Sequence, residues 1–374
     1  MNKILIIDNS PSITGAFKSI FSATGQLASE YEFIYFCPPC DEIQEELSKA
    51  EIKKYDINFL ELSKNLSALL YLPKLIFNTL KILRYINREK IDIVHVNDIY
   101  NMTGVILKIL KPNLKLVYHV RLLPNSYAKS LYGFWKKQIQ KKADQIICVS
   151  ESVASNFDNK KVRVIYDAIE SSNEPHETGK DNTDVFKILY LANYIPGKGH
   201  KDAIDAYKLA LPKIKNSKLI FYGGTLNMKK NKLFKNHLIE YVNGLGLNDN
   251  IEFNGFSDNI AGTIQDADLM LNFSESESFS MTTLEALWFG TPIIATDSGG
   301  PGEIVENGKS GILVPVNDIN AMSNSIVKLG NSDEIRKELA INGIERVRSK
   351  FSLEKQANKL NDIYNKLLQG NNMH

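Results

Sequence analysis

The sequence predicts an α/β protein built from two doubly wound parallel-sheet domains in tandem. Three observations carry this. At 374 residues the chain exceeds what one hydrophobic core usually organises. In both halves, short apolar runs alternate with longer stretches of helical period. Between the halves, residues 170–184 offer no apolar side chain for a core.

Strands are expected at residues 3–7, 32–36, 91–96, 114–120, 145–149 and 162–165, and again at 186–191, 219–222, 251–253, 269–273, 292–295 and 311–314. The chain then divides into a domain over 1–168, a linker over 169–184, a second domain over 185–348 and a closing helix over 349–374. That helix sets Leu353, Ala357, Leu360, Ile363, Tyr364 and Leu367 at helical spacing, so it needs a surface to cover, and the first domain is the expected one. Two such sheets in tandem predict a ligand cleft at their carboxyl ends, between the domains.

Composition narrows the function. Hydrophobic residues make up 43% and charged residues 24%, an ordinary globular mixture that excludes a disordered or collagen-like chain. Forty-five basic against forty-three acidic residues leave a formal charge of +2, which argues against nucleic acid as a partner. The first apolar run, at residues 4–7, is too short for a signal peptide. The most apolar region, residues 66–86, is interrupted by Pro73, Lys74, Asn78, Lys81 and Arg84 and cannot supply a membrane span. Three cysteines are too few for a disulfide scaffold, so a reducing, cytoplasmic setting is expected, with the inner face of a membrane as a further location. Basic and aromatic residues together, Lys129, Lys136, Lys137, Lys141 and Lys142 with Tyr127, Tyr132, Phe134 and Trp135, and the region from Lys64 to Arg88, suit peripheral contact with an anionic membrane. A helix packed on its own sheet with a solvated basic edge explains them equally well.

The most informative stretch runs from Ser274 to Glu303. A strand ends at Phe273, a polar loop carries Glu277, and a helix is expected to start near Thr282 with Glu285 one turn in. Backbone N–H groups at a helix start suit a diphosphate, and the two carboxylates suit vicinal hydroxyls. Read locally, Thr282 and Glu285 also spell a capping box, with Glu277 a solvated loop residue.

The E-x7-E arrangement from Glu277 to Glu285, followed by Leu284-Glu285-Ala286, Gly290-Thr291-Pro292 and Gly299-Gly300-x-x-Glu303, resembles the retaining GT-B glycosyltransferases of family 4. The resemblance implies the GT-B fold, two Rossmann-like domains facing a central cleft, with the acceptor on the first and a nucleoside diphosphate sugar on the second. It assigns Glu277 to the donor sugar and Glu285 to the ribose, with backbone from Ser278, Phe279, Ser280, Met281 and Thr282 around the diphosphate. Lys198, in Gly197-Lys198-Gly199, matches the family's phosphate-binding lysine. Where the family has a phosphate-clamping arginine five residues earlier, this chain has Asn193, which brings no charge. Gly15, after the first strand, stands where the family has a glycine-rich turn, and His119 where it has a histidine reaching the sugar; an ordinary turn and a core histidine are the plain alternatives. Arg121 is a further anion contact on this reading.

Glu277, His119 and Lys198 are thus the expected catalytic residues, and Glu285, Gly15, Asn193 and residues 278–282 the donor-binding ones. No metal and no separate cofactor are expected; the donor is a UDP-sugar in preference to a GDP-sugar, and the acceptor a glycan or lipid-linked glycan of the cell envelope. Asp266-Ala267-Asp268 spells the Asp-x-Asp of metal-dependent transferases but reads as a strand entry. Cys37-Pro38-Pro39-Cys40 has dithiol spacing but reads as structural, and His95 reads as packing or cleft lining. His176, His200, His237 and His374 show no convincing partner in the sequence. The rival functions are a sugar-nucleotide-binding relative with epimerase or phosphorylase chemistry or no turnover, and a dithiol redox protein.

Overall fold

A computed structural model describes residues 1–59, 67–158, 160–169 and 185–369. It forms two compact units, one comprising the chain to Ala168 together with the last helix, the other Ile169–Ser352.

In the first unit, strands β1 (Asn2–Asp8), β2 (Tyr31–Cys37), β3 (Lys53–Asp56), β4 (Ile93–Asn97), β5 (Lys115–Val120), β6 (Gln145–Cys148) and β7 (Val162–Val164) alternate with helices α1 (Gly15–Gln26), α2 (Asp41–Lys49), α3 (Ser67–Glu89), α4 (Thr103–Leu110), α5 (Lys129–Lys142) and α6 (Glu151–Ala154). The order in the sheet is β3-β2-β1-β4-β5-β6-β7, and every pair is parallel. Ile4, Leu5, Ile6 and Ile7 are all buried, as a strand covered on both faces requires. The sequence missed β3, because Lys53-Lys54-Tyr55-Asp56 has no apolar run; short, charged strands are how sheet edges avoid unwanted pairing. On α5 the ring of Trp135 and that of Tyr132 point inward and are buried, so this helix presents Phe134 alone as an exposed aromatic.

Helix α14 (Leu353–Gln369) completes this unit by packing against α1 and against Tyr31 and Phe33 of β2. Ala357, Leu360, Ile363 and Tyr364 are its buried stripe. Tyr31 Oη donates to Asn361 Oδ1 at 2.6 Å, with Asn365 Oδ1 at 2.9 Å from the same hydroxyl, and Tyr364 Oη meets His95 Nδ1 at 2.6 Å.

The second unit has strands β8 (Phe186–Leu191), β9 (Ser217–Tyr222), β10 (Ile251–Phe253), β11 (Leu269–Asn272), β12 (Ile293–Thr296) and β13 (Ile312–Val314) in the order β10-β9-β8-β11-β12-β13, again all parallel. Its helices are α7 (His200–Ala210), α8 (Lys229–Leu245), α9 (Ile260–Gln265), α10 (Met281–Trp288), α11 (Gly300–Ile304), α12 (Ile319–Gly330) and α13 (Asp333–Lys350). Strand order reverses between β8 and β11, which opens a crevice at their carboxyl ends. Among the described residues no helix is long and apolar enough to cross a membrane.

Candidate active site

Two loops leave the reversal point, 192–199 after β8 and 273–280 after β11, and a buried tyrosine ties them together. Tyr190 Oη donates to the Lys198 carbonyl at 2.5 Å and accepts the Phe273 N–H at 2.9 Å. Gly199 sits at φ +69°, where a Cβ would stand 2.0 Å from the Phe273 carbonyl oxygen, so only glycine allows this approach.

The ion pair at the centre joins the loops directly. Lys198 Nζ lies 2.7 Å from Glu277 Oε1, and Ser274 Oγ donates to the same oxygen at 2.9 Å. Glu277 is also held through its backbone: its N–H donates to Ser298 O at 3.0 Å and its carbonyl accepts the Gly300 N–H at 2.8 Å. Gly300 has no room for a side chain, since a Cβ would meet the Phe279 carbonyl oxygen at 2.1 Å.

Helix α10 begins at Met281 with Ser280 as its N-cap, one residue before the expected start. Thr282 and Glu285 therefore both lie inside the helix and do not form the capping box that their spacing allows. The cap is Ser280, whose Oγ accepts from Asn272 Nδ2 at 2.8 Å and whose φ is +89°, a strained conformation for a residue with a side chain. Asn272, buried at the end of β11, also accepts the Ser274 N–H at 3.2 Å. It organises the loop, and the only sequence signal for it is an amide closing an otherwise apolar strand.

Glu285 lines a pocket of about 140 Å³ with Asn193, Tyr222, Gly223, Phe256 and Thr282. Phe256 stands 68% exposed there, an aromatic face of the kind a nucleobase stacks on. The sequence reading passed over it; a lone Phe behind a glycine in a polar loop was the available clue. Asn193 Oδ1 accepts the Gly224 N–H at 3.0 Å, so this amide clamps the β8 loop to the β9 loop. His200, at the start of α7, does have partners, against the expectation from sequence: its ring stacks on Tyr194 and Phe221 at 5.3 and 5.7 Å and its Nε2 lies 3.4 Å from Ala192 O. Burial pushes its imidazole down to about 4.

Lys198, Glu277, Glu285, Asn193 and residues 278–282 thus all belong to one site region of the second unit. Ser278 is half-buried there, and Phe279 turns its ring into the core, edge-on to Phe351 at 5.9 Å. Gly15 and His119 belong to the first unit. Gly15 is the exposed first residue of α1, behind the cap Thr14, which accepts the Phe17 N–H at 3.1 Å. His119, on β5, is buried beside His95 with ring centroids 5.5 Å apart, and neither of its nitrogens finds a hydrogen-bond partner among the described residues. Burial holds it well below the usual imidazole range and pushes His95 down to about 3.

Arg121 is not available to an anion. Its Nη1 donates to both Asp167 oxygens at 2.7 and 2.9 Å and its Nε to Asn97 Oδ1 at 2.7 Å; a buried guanidinium is stable only when paired in this way. Both carboxylates of Asp266-Ala267-Asp268 serve β8: Asp268 accepts the Lys187 N–H at 2.9 Å and Asp266 pairs with the Lys187 ammonium at 2.8 Å. Cys37 is buried, and burial pushes its thiol up to about 12, far from the range of a reactive thiolate. Exposed His237 pairs with Glu240 at 3.6 Å, whereas His176 and His374 lie outside the described residues.

Known proteins share this architecture along most of the chain. Residues 171–346 match the glycosyl transferases group 1 model, and residues 13–173 match the model of glycosyltransferase family 4. An uncharacterized glycosyltransferase of Methanocaldococcus jannaschii is 31% identical over 290 residues, 75% of this chain and 77% of that protein. The N-acetyl-alpha-D-glucosaminyl L-malate synthase of Bacillus anthracis is 27% identical over 49% of this chain and 46% of its own length. Among solved structures, Anabaena HepE in complex with UDP and glucose superposes with a TM-score of 0.83 at 18% identity, over 98% of this chain and all of that one. Sucrose-phosphate synthase of Thermosynechococcus elongatus gives 0.82 at 19% identity, over 99% and 100%. With two switch-point sheets and both family signatures on one chain, the protein belongs to the group 1, family 4 glycosyltransferases of GT-B fold.

Proposed function

We propose that the chain is a retaining hexosyltransferase that takes a sugar from a nucleoside diphosphate donor, UDP-linked in preference to GDP-linked, and passes it to a glycan or lipid-linked acceptor in cytoplasmic polysaccharide synthesis. The observation that carries this reading is the Lys198–Glu277 pair, which joins the loops leaving β8 and β11, while the start of that same β8 loop lines a pocket with Glu285. In this reading the nucleobase lies on Phe256, the ribose hydroxyls hydrogen-bond to Glu285, and the diphosphate takes Lys198 away from Glu277 and meets the positive end of α10. Glu277, released, accepts hydroxyls of the donor sugar. As the anomeric bond breaks, Lys198 and the helix start stabilise charge building on the departing diphosphate. The preference for uridine draws on HepE, of the same fold, which is a UDP binder. His119 and Gly15 are assigned to the sugar and the phosphates on resemblance.

The departing charge is met by these groups, so turnover is proposed to need no divalent cation. Incubation with radiolabelled UDP- and GDP-sugars, with and without chelator, tests the reading. Transfer from a UDP-sugar that survives chelator supports it; no transfer from any sugar nucleotide, or activity restored only by magnesium or manganese, overturns the corresponding part. A second reading, donor binding without transfer, draws on Asn193, whose side chain is engaged with Gly224 where the family places a cation. Binding of the nucleotide with neither transfer nor hydrolysis would favour it.

A further inference from the structure

Helix α3 carries two apolar faces where a helix packed on a sheet needs one. Tyr71, Ile82, Tyr85 and Ile86 are buried toward its own unit. On the other side Leu72 and Phe77 stand 63% and 68% exposed, with Leu70, Ile76 and Leu80 exposed beside them. Leu72, Ile76 and Leu80 follow one another at i, i+4 and i+8, so they form one continuous stripe. Large contiguous apolar patches on a protein surface mark contact with a partner or a membrane.

The same helix says which. From Phe77 the outward face continues at i+4, i+7 and i+11 with Lys81, Arg84 and Arg88, and α3 holds four basic residues against one acid, Glu89. Arg88 pairs with that acid at 2.9 Å and lies over the Tyr85 ring, and Lys81 reaches the Asp56 carbonyl at 3.4 Å. Ile109 and Leu110, exposed at the end of α4, flank this basic end, where Lys111 donates to Asn87 Oδ1 at 2.7 Å. A second copy of the chain would set basic side chains against basic side chains, whereas an anionic lipid surface satisfies both halves of the face at once.

We propose that the outward face of α3 docks on an anionic lipid bilayer, with Leu72, Ile76, Phe77 and Leu80 entering the headgroup boundary and Lys81, Arg84 and Arg88 contacting lipid phosphates. The face belongs to the first unit and the proposed donor residues to the second, and the two share no residue, so vesicle binding and sugar transfer are measured independently.

Co-sedimentation of the whole protein with phosphatidylcholine vesicles, with and without phosphatidylglycerol, tests this. Binding is expected only to the anionic vesicles and is reversed by salt. Leu72→Ser/Ile76→Ser/Phe77→Ser should abolish it, and Lys81→Gln/Arg84→Gln/Arg88→Gln should weaken it on the order of a hundredfold. Thermal midpoints identify any variant that fails to fold. Phe77→Trp supplies a second readout that leaves the face apolar, because native Trp135 and Trp288 are buried and give a constant background. Its emission should shift to the blue on anionic vesicles and be quenched by brominated lipid. Absence of sedimentation with either composition, an unshifted emission, or a concentration-dependent dimer that the apolar substitutions dissolve each overturns the proposal.

Discussion

Lys198 and Glu277 are each other's partner, Nζ to Oε1 at 2.7 Å, although the proposed chemistry gives them different tasks. A diphosphate entering the site must therefore compete with a carboxylate for the lysine. Glu277→Ala removes the competitor, so affinity for free nucleoside diphosphate should stay level or rise while turnover falls about a hundredfold or more. Lys198→Ala should lower both. Calorimetric titration beside transfer rates checks this; loss of diphosphate binding in Glu277→Ala would sink the division of labour.

Glu285 lines the pocket and is not the cap of α10, and on the proposed reading its carboxylate binds the ribose. Glu285→Gln should weaken binding of nucleoside and nucleoside diphosphate alike, by about tenfold for one lost charge-assisted hydrogen bond, with the thermal midpoint within about 2 °C of the parent. A large fall in midpoint with unchanged affinity would return Glu285 to a structural role.

Gly300 closes the site from behind. A methyl there would overlap the Phe279 backbone, 2.1 Å from its carbonyl oxygen, so the loop that carries Glu277 must shift. Gly300→Ala should destabilise the protein by about 3 kcal/mol and cut turnover more steeply than it cuts nucleotide affinity. Differential scanning calorimetry and kinetics on the same sample decide it; a variant as stable and active as the parent contradicts the geometry.

Buried histidines set an acid limit on stability. His95, His119 and His200 are all depressed by burial, so the folded state keeps them neutral while the unfolded chain protonates them near pH 6.5. Their contribution is full above the unfolded value and is lost as pH falls below it. Asp98, which burial pushes up to about 7, works the other way: the folded state holds a proton that the unfolded state releases. Three histidines outweigh one aspartate, so stability should drop between about pH 6 and pH 4.5. His200→Phe, which keeps an aromatic ring between Tyr194 and Phe221, should remove about 1.4 kcal/mol per pH unit from that slope. Denaturant midpoints at both pH values measure it; an unchanged slope rules out His200 as a contributor.

The alternation of apolar runs made most of both sheets legible, because strands buried on two faces must be almost wholly apolar, as Ile4 to Ile7 and Leu269 to Leu271 are. The edge strand β3 was hidden because its task is to be charged. Glu277, Glu285 and Lys198 were singled out by spacing and resemblance, and the structure pairs Lys198 with Glu277 and sets Glu285 on a pocket. Asn272, Phe256 and the partners of His200 were not. Each depends on contacts between loops far apart in sequence, and nothing local distinguishes an asparagine that ends a strand from one that organises a helix cap. Arg121 misled for the same reason: its partner Asp167 lies 46 residues away.

The last helix belongs to the first unit, and 184 residues, Ile169–Ser352, come between. During vectorial synthesis the first 168 residues leave the ribosome with the groove for Ala357, Leu360 and Tyr364 still vacant and with His95 lacking the Tyr364 hydroxyl. At ordinary elongation speeds the wait is about 10–40 s, long compared with the folding of a single α/β domain. The first unit therefore stays unclosed until α14 emerges, and a premature stop anywhere in the second unit leaves the first without that helix.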